Sequence, residues 1–187
     1  MAVMSSIDTA QDVVEFLKDQ HRSVKELFDQ VLAAHGERRV ELFTALRRML
    51  AVHETAEERI VHPRARKELP DGDAVVDERL AEEHKAKEVL RELEKMDVDS
   101  AEFESTFRAF QSDVLAHANA EEQHEFSVLE RSLDDTELEH MRKAVEFAEQ
   151  VAPTRPHPGV ESPTANLLAG PFAAMLDRVR DALHGHG

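Results

Sequence analysis

One pattern constrains this chain more than any other. A histidine on a helical apolar line is followed 32 or 33 residues later by His-x-x-x-Glu-Glu, and the whole unit occurs twice. The first copy is His21 with His53, Glu57 and Glu58; the second is His84 with His117, Glu121 and Glu122. The lone histidines are offset by 63 residues, and the later histidines and glutamates by 64. A repeat of this length is a helix pair used twice, and equal spacing puts polar side chains of one kind at one depth on facing helices.

Apolar residues at three-four spacing predict helices over about residues 8–35, 37–68, 73–96 and 101–131, with a shorter fifth over about 136–151. The fold class is therefore all-α, an up-down-up-down four-helix bundle with a short fifth helix and a C-terminal amphipathic helix. Asp8 with Gln11 suits the first N-terminus, and Gly36 a left-handed stop at its end. Pro63 should kink or shorten the second helix, and Pro70-Asp71-Gly72 and Asp97 to Ser100 read as turns. His21 lies between Leu17 and Val24, and His117 one turn beyond Val114, each squarely on an apolar line. The third helix is less regular: His84 shares its face with Leu80, Glu88 and Arg91, while Val89, Leu90 and Leu93 point elsewhere. Residues 1–151 are expected to form the bundle, 152–171 a proline-rich connector, and 172–187 an amphipathic helix. That last helix carries Phe172, Met175, Leu176, Val179 and Leu183 on one side, a face to dock on the bundle, on a second copy as a homodimer, or on a partner protein.

Composition removes several function classes. A net charge of -16 without a basic run repels nucleic acid. No apolar stretch is long enough to span a membrane, and the N-terminus lacks the regions of a signal peptide, so a soluble cytoplasmic protein is expected. Without cysteine there are no disulfides, zinc-cysteine sites or iron-sulfur clusters; without tyrosine there is no tyrosyl radical.

The repeat carries metal-ligand chemistry. A histidine and a glutamate four residues apart lie one helical turn apart on nearly one line. Two such carboxylates can bridge two cations about 3.5–4 Å apart while imidazoles fill terminal positions. Burying these groups unpaired costs several kcal/mol, roughly the penalty of an unsatisfied polar group or more. The competing interpretation is a buried His–Glu hydrogen-bond network with no metal. The donor set suits iron ahead of manganese or zinc. Candidate ligands are His21, His53, Glu57, His84, His117 and Glu121. Glu88 is either an additional ligand or part of a solvated face, and His124 an outer contact or a partly buried structural histidine. Glu54, Glu58 and Glu122 should face solvent or neighbouring helices, and His35, His62, His140, His157, His184 and His186 read as surface or capping residues. A ferritin-like site needs Glu-x-x-His on two helices, and only Glu121–His124 fits; a zinc hydrolase needs a His-Glu-x-x-His that is absent.

The order His, His-x-x-x-Glu, His, His-x-x-x-Glu over about residues 8–133 resembles the hemerythrin family, in particular the bacterial HHE cation-binding domains. The resemblance implies a bundle holding two iron ions as an oxo- or hydroxo-bridged centre that meets O2, peroxide or nitric oxide, with the six candidate ligands above. Oxygen-carrying hemerythrins have a histidine where this chain has Glu88, which argues against a simple reversible carrier. Three functions stay open: a module for sensing, storage or detoxification; a di-iron peroxidase or catalase-like enzyme of oxidative-stress defence; and a metal-free structural or interaction bundle.

Overall fold

The computed structural model describes residues 12–152. Among them the chain is helical throughout: α1 (Val13–Ala33), α2 (Gly36–Ala56), α3 (His62–Glu68), α4 (Gly72–Leu93), α5 (Ala101–Glu121), α6 (Ser127–Ser132) and α7 (Asp135–Gln150). α2 runs into α3 through a wide π-helical turn, Glu57–Val61, and α5 into α6 through another, Glu122–Phe126. Five rods result, and the four long ones make the expected bundle. The expected cap Asp8 lies outside the described residues; Asp12 caps α1, accepting from the amides of Val14 and Glu15 at 2.9 Å each. The connector, apart from Ala152, and the C-terminal amphipathic segment also lie outside them.

Local chemistry accounts for the breaks. Pro63 has no N–H for the carbonyl four residues back, and its ring presses on it. The helix widens instead, with the His62 amide bonding to the Glu57 carbonyl five residues earlier. Gly36, at φ 57°, makes the left-handed link between α1 and α2, where an L side chain would be strained. Its amide meets the Asp99 carboxylate at 3.0 Å, tying this turn to the one between α4 and α5. Arg39 is buried beneath the same end. Its guanidinium donates to the carbonyls of Val31 (3.1 Å), Leu32 (3.2 Å) and Val98 (2.8 Å), and so closes the C-terminus of α1. Asp134 and Glu137 form a reciprocal capping box at the start of α7.

Two apolar cores lie at opposite ends of the bundle. One gathers Val24, Phe28, Leu46, Leu50, Leu90, Phe103, Phe107 and Phe110, with the Phe28 and Phe107 rings 5.1 Å apart. The other joins Val14, Leu17, Ala56, Val61, Phe126 and Leu129 to Leu138, Val145 and Ala148 of α7. α1 passes from the second core to the first, and α2–α3 and α5–α6 pass back. Each crosses the middle with histidines and glutamates, so a layer of buried polar groups separates the two cores.

Candidate metal centre

Four imidazoles enter this layer: His21 from α1, His53 from α2, His62 at the start of α3 and His117 from α5. Glu57, Glu83, Glu121 and Glu125 join them, all essentially without solvent contact. His21 Nε2 and His53 Nε2 lie 3.0 Å apart, and His53 Nε2 lies 3.2 Å from Glu57. His21 Nε2 is 3.5 Å from Glu121, and His117 Nε2 is 3.2 Å from Glu121. His62 donates from both ring nitrogens, to Glu83 and to Glu125, at 2.7 Å each.

The outer nitrogens are held as firmly as the inner ones are left open. His21 Nδ1 donates to Glu122 at 2.8 Å, His53 Nδ1 to the amide oxygen of Gln20 at 2.6 Å, and His117 Nδ1 to Glu82 at 2.7 Å. Gln20 in turn donates its amide nitrogen to Glu149 of α7 at 2.7 Å, which fixes which way the amide faces and hence the His53 tautomer. His53 thus turns a bare Nε2 toward His21 Nε2, 3.0 Å away. The phenyl ring of Phe126 stacks on His21 with centroids 5.5 Å apart.

Whether these residues fit a metal is tested by what they lack. Both carboxylate oxygens of Glu57, both of Glu121, one each of Glu83 and Glu125, and His117 Nε2 are buried without a hydrogen-bond partner. Buried polar atoms seldom go unpaired, and a cluster of acceptors around one space asks for cations. Two four-residue groups have ligand atoms close enough to hold an ion: His21, His53, Glu57 and Glu121, and Glu57, Glu83, His117 and Glu121. Glu57 and Glu121 belong to both. A third group, His62, Glu121 and Glu125, adjoins them. The residues fit.

Burial opposes protonation of His21, His62 and His117, yet the carboxylates around them hold all three above the ordinary imidazole value, so the layer is short of positive charge. Burial and the neighbouring carboxylates of Glu121 and Glu83 push the Glu57 carboxyl well above its ordinary value. Burial and the adjacent His21 push His53 down to about 3, so its ring is neutral and able to ligate. Burial opposes ionisation of Glu121 too, but attraction to the neighbouring His117 and His21 imidazoles prevails and holds it well below the carboxylate range.

Five of the six expected ligands meet in this layer; His84 does not. Its side chain is 46% exposed and pairs with the equally outward Glu88 at 3.5 Å. The buried stripe of α4 runs Val76, Arg79, Glu83, Lys87, Leu90 and Leu93, one residue's rotation away from His84, so Glu83 takes the inward place. His124 is likewise outward, bonded to the Ala120 carbonyl at 2.9 Å. His62, expected on the surface, is buried. So is Glu54, which with Glu58 and Glu83 surrounds the buried ammonium of Lys87. The wide turns account for His62 and His124: each inserts about one residue, rotating the remainder of its rod by about 100°. The first turn swings His62 in and the second swings His124 out, while Glu125, four residues after Glu121, stays on the ligand line.

A helical bundle with stacked imidazole and carboxylate pairs at mid-height is the arrangement of a hemerythrin-type cation-binding domain. The family model for the hemerythrin HHE cation-binding domain matches residues 12–129, and the chain belongs to that family. It is 31% identical over 136 residues to a hemerythrin-like protein of Schizosaccharomyces pombe, covering 72% of this chain and 67% of that one. It is 26% identical over 138 residues to a protein of Nostoc named as a DNA nickase, covering 73% of this chain but only 37% of that relative's length. In structure it is similar to an HHE cation-binding domain-containing protein of Mycobacterium kansasii, with a TM-score of 0.65 and 23% identity over 74% of this chain and 85% of the other. No helix among the described residues is long and apolar enough to cross a membrane.

Proposed function

We propose that the chain binds two iron ions in the polar layer and that this centre binds or reacts with O2, peroxide or nitric oxide. His21 and His53 would serve one ion, Glu83 and His117 the other, with Glu57 and Glu121 shared and His62 beside the second. The observation that carries this reading is the sharing: two ligand groups overlap in two buried carboxylates whose four oxygens have no other partner. Mixed imidazole and carboxylate donors favour iron over softer-ligand metals. When bound, such a pair supplies a Lewis-acidic, redox-active site for a small oxygen or nitrogen ligand.

The chain's own groups prepare that site. Glu122, Gln20 and Glu82 hold the imidazoles with Nε2 facing inward. The apolar cores close the layer at both ends, and burial between them strengthens each charge interaction inside it.

Anaerobic loading with Fe(II) should give two irons per chain by elemental analysis, and the optical spectrum of the loaded protein should change on exposure to O2, peroxide or nitric oxide. Glu121→Ala should hold less than one iron. A folded wild-type chain that retains neither iron nor manganese nor zinc refutes the reading; full iron with no spectral response to any of the three ligands refutes its second half.

A further inference from the structure

A cavity of about 310 Å³ adjoins the polar layer. His53, Glu57, His117 and Glu121 form part of its wall. Much of the rest is apolar: Val24, Leu50, Ala86, Val89, Phe110 and Val114. It reaches the surface between α4 and α5 at Lys85 and Asp113, an exposed ion pair of 2.9 Å that links the two helices.

The size of this space does not match the small ligands of the site. A diatomic molecule or hydrogen peroxide needs roughly one or two water volumes of about 30 Å³, and two metal ions need about as much again. The larger part is left over, and the lining exposes more carbon than polar atoms, although Glu54, Arg79, Glu82 and Glu83 also border it. At interior packing density the remainder holds on the order of eight to ten non-hydrogen atoms. Pockets that recognise organic ligands share this plan, an apolar body facing a few convergent polar groups.

We propose that the cavity takes an alkyl hydroperoxide, with its oxygen head toward Glu57, Glu121 and the imidazoles and its hydrocarbon chain against Val24, Leu50, Ala86, Val89, Phe110 and Val114. This rests on the reading of the layer as a metal centre and names the substrate class of that same site. A bare carboxylate-lined wall repels an electron-rich head, so the head requires the cations; the chain requires only the apolar wall.

The test uses the full chain loaded with Zn(II), which leaves the peroxide bond intact, with metal content measured on the same sample. Calorimetric titration with n-alkyl hydroperoxides of two to ten carbons should show affinity rising about fourfold per methylene, the increment of burying one such group. The rise should stop near eight carbons, where the cavity is full. Ala86→Phe fills the wall on α4 and should move that limit to shorter chains at unchanged zinc content; Val89→Ala enlarges it and should move the limit to longer ones. Two zinc ions per chain with affinity independent of chain length overturns the proposal and leaves the metal centre standing. So does a limit that neither variant moves. A chain-length dependence in protein that holds no zinc overturns the placement of the peroxide head at the metals, and the iron loading described above decides the metal centre separately.

Discussion

Glu149 offers a quantitative test of how α7 is coupled to the polar layer. Its carboxylate is partly buried and accepts from Gln20, which holds His53. Burial, helped by Glu146, outweighs that hydrogen bond and pushes the carboxyl from 4.5 to about 7. The folded protein therefore keeps a proton that the unfolded chain releases. Stability from this group is fully present below the unfolded value and is lost as pH climbs through the folded one. At 1.36 kcal/mol per pKa unit the loss approaches about 3 kcal/mol, and residual solvent contact brings the expectation to about 1–3 kcal/mol. Glu149→Gln keeps an oxygen for Gln20 and removes the charge. Urea denaturation with a metal chelator present, monitored by circular dichroism, should show the two proteins equal near pH 4 and the variant more stable by that amount at pH 8. Other titrating groups cancel in the difference. A difference that stays constant across this range refutes the reasoning.

Two further outcomes are expected at named residues. His62→Ala should lose iron, because it removes an inward imidazole and strands Glu83 and Glu125, whereas His84→Ala should leave iron content unchanged; elemental analysis showing the reverse ranking would return His84 to the ligand set. Arg39→Met should destabilise the chain by about 2–4 kcal/mol in urea denaturation, since four main-chain carbonyls lose their donors, while iron per folded chain stays the same; a loss below about 1 kcal/mol would mean water replaces the guanidinium without penalty.

The bundle is legible because its helices alternate apolar and polar faces with a regular period, and because the repeat sets three of its four histidines inward at one depth. His21, His53, Glu57, His117 and Glu121 all fall before the point at which either long rod departs from α-helical geometry, so counting residues locates them. Beyond Glu57 and Glu121 the count fails by one, which hides His62 and brings His124 forward in error; Glu125, four residues after Glu121, lies on the same spacing that locates the other ligands. Pro63 is the available signal for the first wide turn; it reads as a kink, whereas the chain absorbs it by adding a residue to the turn. Nothing comparable marks the second. On α4 the inward stripe is charged at Arg79, Glu83 and Lys87. Hydrophobic periodicity is blind to such a stripe, and the misplacement of His84 shows only as its poor fit to Val89, Leu90 and Leu93. Arg39 escapes notice because a cationic side chain on a helix reads as surface until the carbonyls it closes are known.

The separation of the two apolar cores has a mechanical meaning. Each core grips its own helix ends, and the waist between them is held by charges alone. Cations lodged there act as a rivet through the middle of a column whose two halves are otherwise glued independently. Withdrawing the rivet would slacken the waist first, so on the proposed reading the rigidity of the polar layer would follow the metal supply.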